Sequence, residues 1–265
     1  MRVLVSNDDG IHAEGLRTLV EWLAKRYDVY VSAPDRERSA MGHALTLHKP
    51  LRVEEVSFPV PVVKAYAVSG TPSDCVKIAL NAILDQRPDI VVSGINHGPN
   101  LGIDVLYSGT VSAALEGAIN GVPSIAVSLT NGYERHADFT GSAEFIAQYI
   151  PKALAANLPP RTILNINTPA APLLEMAGVR LTELGRRMYT DTYERRVDPR
   201  KQVYYWLAGE IIETGEAERS DVETIRNNMI SVTPVQFDLT NYEILNDSGC
   251  RHALESTGPV FPREF

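Results

Sequence analysis

The sequence predicts an α/β fold: a doubly wound, mostly parallel sheet followed by a β-hairpin-rich C-terminal appendage. Three observations carry that expectation. Through about residue 168, short apolar runs alternate with segments of helical period, the pattern of strand–helix–strand crossovers and hence of a parallel sheet. Runs such as "VLV" and "DIVVSG" are continuously apolar rather than alternating, which suits strands buried on both faces. Beyond Pro169 the texture shifts to segments rich in Tyr, Arg and Thr, which read as hairpin strands.

Residues 3–5 form the first buried strand, and 14–26 a helix with Leu16, Leu19, Val20 and Leu23 on one face. Residues 29–31 are a second strand, ended by the turn Ala33-Pro34-Asp35. Segments 43–47, 51–56 and 62–68 carry β-branched residues in partial alternation and read as short strands or a hairpin excursion. In "SGTPSD", Thr71 caps a helix with Pro72 at its first position, running to Leu84 with Val76, Ala79, Leu80 and Ile83 inward. Then "DIVVSG" is a strand, 110–120 a helix ended by Gly121, "SIAVSL" a strand, 142–157 a helix and "TILNIN" a strand. In the appendage, "GVRLTEL", "RRMYTDTYERRVD" and "KQVYYWLAGEI" are hairpin strands. "ETGEAERSDVETIRNN" is a solvated loop with a short helix, and "MISVTPVQFDLT" is a strand returning to the main body. The expected organisation is a core over 1–168 and a β-rich region over 169–265. The tyrosine-rich hairpins suit contacts between subunits, and a lid packed over the core would read the same.

At 265 residues, with 44% hydrophobic and 22% charged residues, the chain can build a full globular core. A net charge of −8 leaves no basic stripe, which argues against polymeric nucleic acid as the main partner. A small anion remains admissible, because a local cation can reverse the field inside a site. Cys75 and Cys250 have no paired spacing, against a disulfide framework or a cysteine zinc site. No apolar stretch approaches the roughly 20 residues that span a bilayer, and the first apolar run is too short for a signal peptide. A cytoplasmic protein with no membrane partner is the expectation.

In open parallel sheets, ligands sit beyond the carboxyl ends of the strands, so the loops there are where chemistry is sought. The first, "SNDDG", sets Asp8 beside Asp9 where a strand runs out. In extended backbone the two would face opposite ways, but Asn7 and Gly10 permit a turn that lets them converge. Converged carboxylates repel, and a divalent cation is the simplest compensation. The competing reading is a helix N-terminus, where Asp is favoured by capping and by the dipole.

The second loop, "APDRERSAMG", contains Ser39, a ligand for a hard cation beside carboxylates and otherwise an ordinary loop serine. The third, "SGINHGPNLGIDVLYSGT", is long and glycine-rich, the kind of loop that is usually functional. Asn96 offers a neutral oxygen near the strand end. Ser108-Gly109-Thr110 stands where the next helix begins, either a phosphate cradle on the positive end of the dipole or simply a cap. His97 adjoins Asn96, while His12, His43 and His48 are scattered. Asp8, Asp9, Ser39 and Asn96 together supply four oxygens, a set suited to Mg²⁺ or Mn²⁺. Such an ion would keep about two positions for water or a phosphate oxygen.

The blocks "VSNDDGIHAEGL", "APDRERSAMGHALTL", "SGTPSDCVKIAL", "VVSGINHGPNLGIDVLYSGTVSAALEGA" and "SVTPVQFDLT" resemble the SurE (survival protein E) family, in the family's order and over nearly the whole chain. The resemblance implies a metal-dependent phosphatase acting on nucleoside 5′- and 3′-monophosphates, and in some members on short-chain polyphosphate. It implies a Rossmann-like core and a C-terminal arm exchanged between subunits of a homodimer or homotetramer. Carried over by motif position, Asp8, Asp9, Ser39 and Asn96 would bind one divalent cation per subunit. The Ser108-Gly109-Thr110 turn, with Asn96 in the same loop, would hold the phosphate.

The expected chemistry is phosphomonoester hydrolysis by metal-assisted attack of water. Asp9 is the candidate to orient or deprotonate the water, with Asp8 mainly a ligand. The sequence leaves the reverse assignment, and an aspartyl-phosphate intermediate, open. The rival reading is a Mg²⁺-dependent phospho-receiver-like signalling module, which also places paired acids after its first strand. It needs a phosphoacceptor Asp at the end of a later strand, whereas Asp35 sits in a crowded turn and Asp89 begins its strand. A nicotinamide-binding oxidoreductase is opposed by the acids standing where a pyrophosphate would have to approach the backbone.

Overall fold

The computed structural model describes residues 1–130, 137–190, 192–212 and 215–255. The strands are β1 (Arg2–Ser6), β2 (Asp28–Pro34), β3 (Val53–Glu55), β4 (Lys64–Val68), β5 (Ile90–His97), β6 (Ser124–Leu129), β7 (Thr162–Thr168) and β8 (Val179–Leu181). After these come β9 (Met188–Tyr189), β10 (Thr192–Val197), β11 (Val203–Ala208), β12 (Ile211–Ile212) and β13 (Ile230–Gln236). The helices are α1 (Glu14–Leu23), α2 (Pro72–Ile78), α3 (Gly109–Ile119), α4 (Thr140–Ala155), α5 (Asp221–Arg226), α6 (Tyr242–Asn246) and α7 (Ser248–Leu254).

Nine strands form one sheet in the order β3-β4-β2-β1-β5-β6-β7-β13-β8. From β4 through β7 every neighbouring pair is parallel. The continuous apolar runs have the expected cause. Val3 and Val5 join the cluster built with α1 and α4, whereas Leu4, between them, joins Val76, Ala79 and Ala113 from the side of α2 and α3. Helices therefore cover both faces, and each strand must be apolar in both directions. On α1, Leu16, Leu19, Val20 and Leu23 are fully buried, each worth about 1.5–3 kcal/mol of transfer free energy before entropy is counted.

The returning strand is β13, antiparallel to β7 and parallel to β8. The hairpin strands β10 and β11 pair antiparallel and are exposed along their whole length, and β9 pairs with β12. Two expectations are revised. The helix opening at Pro72 ends at Ile78 and continues as a π-helical turn over Ala79–Ile83. Residues 43–47 form no strand, because their backbone is stitched to other partners. The Ala44 carbonyl accepts from the Thr71 hydroxyl at 2.7 Å, and the Thr46 N–H donates to the Asp74 carboxylate at 3.1 Å.

The fully buried Asp221, at the start of α5, fastens the sheet to its loops. Its carboxylate accepts N–H bonds from Gly102 at 2.9 Å and from Gly185 and Val222 at 2.8 Å. Burial still pushes its pKa up against these three bonds. Among the described residues, no helix is long and apolar enough to cross a membrane.

The sheet order also locates the site. The chain passes from β1 to β2 on one side, while β5 takes the other side of β1. The carboxyl ends of β1 and β5 thus flank a topological switch point, where doubly wound sheets open a crevice.

Candidate active site

At the end of β1 the chain turns sharply, and Asn7 holds the turn. Its amide donates to the Gly10 carbonyl at 2.9 Å and its oxygen accepts the Gly10 N–H at 3.2 Å. Gly10 has φ +99°, a conformation that side-chain-bearing residues rarely adopt. The Asp8 carbonyl accepts from the Arg38 N–H at 2.7 Å, drawing the loop after β2 onto this turn. Asp8 and Asp9 line one cavity of about 460 Å³ together with Ser39, Asn96 and Ser108. Glu37, Asp104 and Tyr189 line the same cavity.

The two aspartates differ in their surroundings. Asp8 is 5% exposed, and the hydroxyl and backbone N–H of Thr110 donate to it. Burial first, and Asp9 second, raise its pKa from 3.8 to about 6 despite those bonds. Asp9 is more open and accepts the His97 N–H at 3.3 Å. Burial raises its pKa too, opposed by His97 and reinforced by Glu37. In the absence of a cation, this pair holds protons more tightly than ordinary carboxylates.

α3 abuts Asp8 because its first residue is glycine. A Cβ on Gly109 would lie 2.8 Å from the Asp8 Cβ and 3.0 Å from Pro72 Cγ. Ser108 caps the helix, its hydroxyl accepting the Val111 N–H at 3.1 Å, so the capping role anticipated for it is real. Thr110 and Gly109 are buried behind Asp8. The anion at the start of α3 is thus the Asp8 carboxylate itself.

Ser39 donates to the Glu37 carboxylate at 2.8 Å, which leaves its oxygen able to accept or to ligate. The Asn96 amide nitrogen donates to the Gly98 carbonyl at 2.9 Å, leaving the amide oxygen as the end suited to a cation. The parallel register of β5 and β6 shifts between Ser93 and Asn96, an irregularity that re-aims the end of β5 at the cavity. Further back, His43 and Lys77 reach the buried Glu116 of α3 at 2.9 and 2.7 Å. Burial opposes its ionisation, but bonds from His43, Lys77 and Asn120 hold its pKa down to about 2. This pairing moors the Ser39 loop to the helix that touches Asp8.

The structure therefore brings Asp8, Asp9, Ser39, Asn96 and Ser108 to one space, with Gly109 and Thr110 directly behind. His97 joins them, whereas His43 serves the Glu116 pairing. Among the described residues, no group of three or more His, Cys, Asp and Glu side chains is arranged to hold a metal. A site here draws on serine and amide oxygens as well as the two aspartates. Asp89 accepts from the Arg2 N–H at 2.7 Å at the opposite end of the sheet, far from any receiver-type acceptor position.

Five polar or aromatic cavity residues escaped the sequence reading: Glu37, Asn100, Asp104, Tyr107 and Tyr189. Asn100 is buried, its amide donating to Ser128 at 2.7 Å and its carbonyl accepting from Asn165 and Asn167. The signal was available in "TILNIN", where two asparagines sit in an otherwise apolar buried strand and must have polar partners.

Fold and site together define a doubly wound α/β protein with an acidic, oxygen-lined crevice at its switch point. The family model "Survival protein SurE" matches residues 3–191. A protein of Thermosynechococcus vestitus named 5′-nucleotidase SurE is 54% identical over 267 residues, covering 98% of this chain and 99% of its own. One of the same name from Heliobacterium modesticaldum is 50% identical, covering 93% and 90%. The crystal structure of the SurE protein from Aquifex aeolicus superposes with a TM-score of 0.82 at 37% identity, covering 96% of this chain and all of that one. The chain belongs to the SurE family.

Proposed function

We propose that this protein is a divalent-metal-dependent 5′-nucleotidase, a phosphomonoesterase that also accepts nucleoside 3′-monophosphates and short-chain polyphosphate. Relatives about half identical in sequence and named 5′-nucleotidase support the nucleotidase reading. The observation that carries metal dependence is the charge of the cavity. Asp8, Asp9 and Glu37 line it, with no Lys or Arg among its described lining residues, and a fourth lining acid, Asp104, is paired with Arg187. A phosphate is repelled by such a wall, and the Asp8–Asp9 pair by itself retains extra protons; a dication answers both.

Asp8, Asp9, Ser39 and Asn96 fit one Mg²⁺ or Mn²⁺ per subunit, since carboxylate, hydroxyl and amide oxygens are the donors hard cations take. When bound, such an ion supplies positive charge against the phosphoryl oxygens and a lowered pKa for water. Asp9, the more open acid and steadied by the His97 N–H, takes the proton of the attacking water. Asp8, fixed by Thr110, stays a ligand. Ser108 and Asn96, which line the cavity, with Gly109 and Thr110 behind them, would hold the phosphate, while the Thr110 donors at the start of α3 serve Asp8.

The same reading includes a homodimer or homotetramer built through the C-terminal region, supported by the exposed Tyr193, Tyr205, Trp206 and Leu207 of the β10–β11 hairpin. It also includes a cytoplasmic location, supported by two free cysteines, Cys75 and Cys250. The test is phosphate release from AMP after EDTA treatment. Release is expected to fall to background and to return with Mn²⁺ or Mg²⁺. A chelated, metal-depleted protein that keeps its full rate overturns the metal-dependent reading.

A further inference from the structure

We propose that Tyr189 and Tyr107 form a nucleobase-stacking subsite, so that the cavity selects nucleoside monophosphates over phosphomonoesters at large; this rests on the phosphatase reading above. Both residues line the cavity that holds Asp8 and Asp9. Tyr189 is supplied by the C-terminal half of the chain, to a site otherwise built from loops of the core.

The setting of Tyr189 is built rather than incidental. Its hydroxyl donates to the Asp104 carboxylate at 2.8 Å, and the other oxygen of that carboxylate accepts from Arg187 at 2.8 Å. The Arg187–Asp104 pair is mostly buried, at 10% and 17% exposure, and the guanidinium lies 5.5 Å from the Tyr189 ring centroid. The ring is thus tied at its hydroxyl and flanked by a cation, yet 37% of the residue stays open to the cavity and solvent. An aromatic face fixed in advance loses little rotamer entropy when a flat ligand lies on it.

Tyr107 is fixed through its backbone. Its N–H donates to the Asp104 carbonyl and its carbonyl accepts from Gly42, both at 3.0 Å, while the residue is 62% exposed. It stands two residues before Gly109, which backs onto Asp8. Chain spacing puts the two Cα atoms within about 7 Å of each other. A cavity of about 460 Å³ also lies within the ordinary range for a small-molecule site. Stacking uses the π-face that every base has, so the subsite distinguishes a base from no base.

The test compares kcat/KM for AMP with kcat/KM for ribose 5-phosphate, which carries the same phosphate without a base, in wild type, Tyr189→Ala, Tyr189→Phe and Tyr107→Ala. The wild type is expected to prefer AMP. The alanine variants should lower the AMP to ribose 5-phosphate ratio by about 5- to 150-fold, the range of lost base stacking. Tyr189→Phe, which keeps the ring and loses the bond to Asp104, should retain most of the ratio. Equal losses on both substrates, or a Phe variant as impaired as Ala, overturn the subsite and assign Tyr189 to holding Asp104. A wild type that hydrolyses both substrates equally overturns it while leaving the phosphatase reading standing. A wild type that hydrolyses neither removes both.

Discussion

Exchanging Asp8 for Asn is expected to lower turnover by about 10²–10⁴-fold, the usual scale for losing a charged group that acts at the reacting centre. Asn is close to isosteric and can still accept a bond from Thr110, so the fold should persist. What disappears is the charge that, with Asp9, balances a dication. The variant should also show an opposite effect on stability. In the metal-free protein the pKa of Asp8 is raised from 3.8 to about 6 by burial and by Asp9. Between those two values the folded state keeps a proton that the unfolded chain releases. Stability of the metal-free protein therefore falls as pH rises from about 4 to about 6, by at most about 3 kcal/mol for two pKa units. Asp8→Asn removes that loss, so above pH 6 the metal-free variant should be the more stable protein. Denaturant titrations of both proteins in EDTA across this window check it. A variant that is inactive and also less stable at pH 7 would mean that Asp8 serves the fold rather than the chemistry.

The second large effect is expected at Asp221, far along the chain from the aspartate pair. Asp221→Ala leaves the N–H groups of Gly102, Gly185 and Val222 without their acceptor. An unpaired buried donor costs about 1–3 kcal/mol, and since Gly102 is buried while Gly185 and Val222 are half-buried, a loss of about 2 kcal/mol or more is expected in urea unfolding. Asp221→Asn keeps one acceptor oxygen and should lose less. Because Gly102 opens the turn carrying Asp104 and Tyr107, activity should fall with Asp221→Ala even at temperatures where the variant is folded. A cost below about 1 kcal/mol would show that water replaces the carboxylate easily, and that these loops have other supports.

How much of this was legible beforehand follows from what each residue's role depends on. The parallel core could be read because buried strands between two helical layers must be apolar on both faces, as Val3, Leu4 and Val5 are. Asp8, Asp9, Ser39 and Asn96 could be read because the rule of strand carboxyl ends selects their loops. The segment over 43–47 misled because its β-branched pattern says nothing of the partners, Thr71 and Asp74, that claim its backbone. Asp104, Tyr189 and Asp221 were hidden for a related reason. Their roles depend on contacts between residues 85 and 119 positions apart, and no local period encodes such distances. The Ser108-Gly109-Thr110 turn shows the limit of a motif. Its cap and its phosphate reading share the same residues, and the structure adds a third role, the seat of Asp8 against the glycine.

The account turns on a cation held by the aspartate pair, and the most direct measurement is Mn²⁺ binding followed by electron paramagnetic resonance. Wild type is expected to bind one Mn²⁺ per chain. Asp8→Asn, and more so Asp8→Asn combined with Asp9→Asn, should leave the ion free at the same concentration. Undiminished binding by the double variant would contradict the account and move the metal, and with it the chemistry, away from the end of β1.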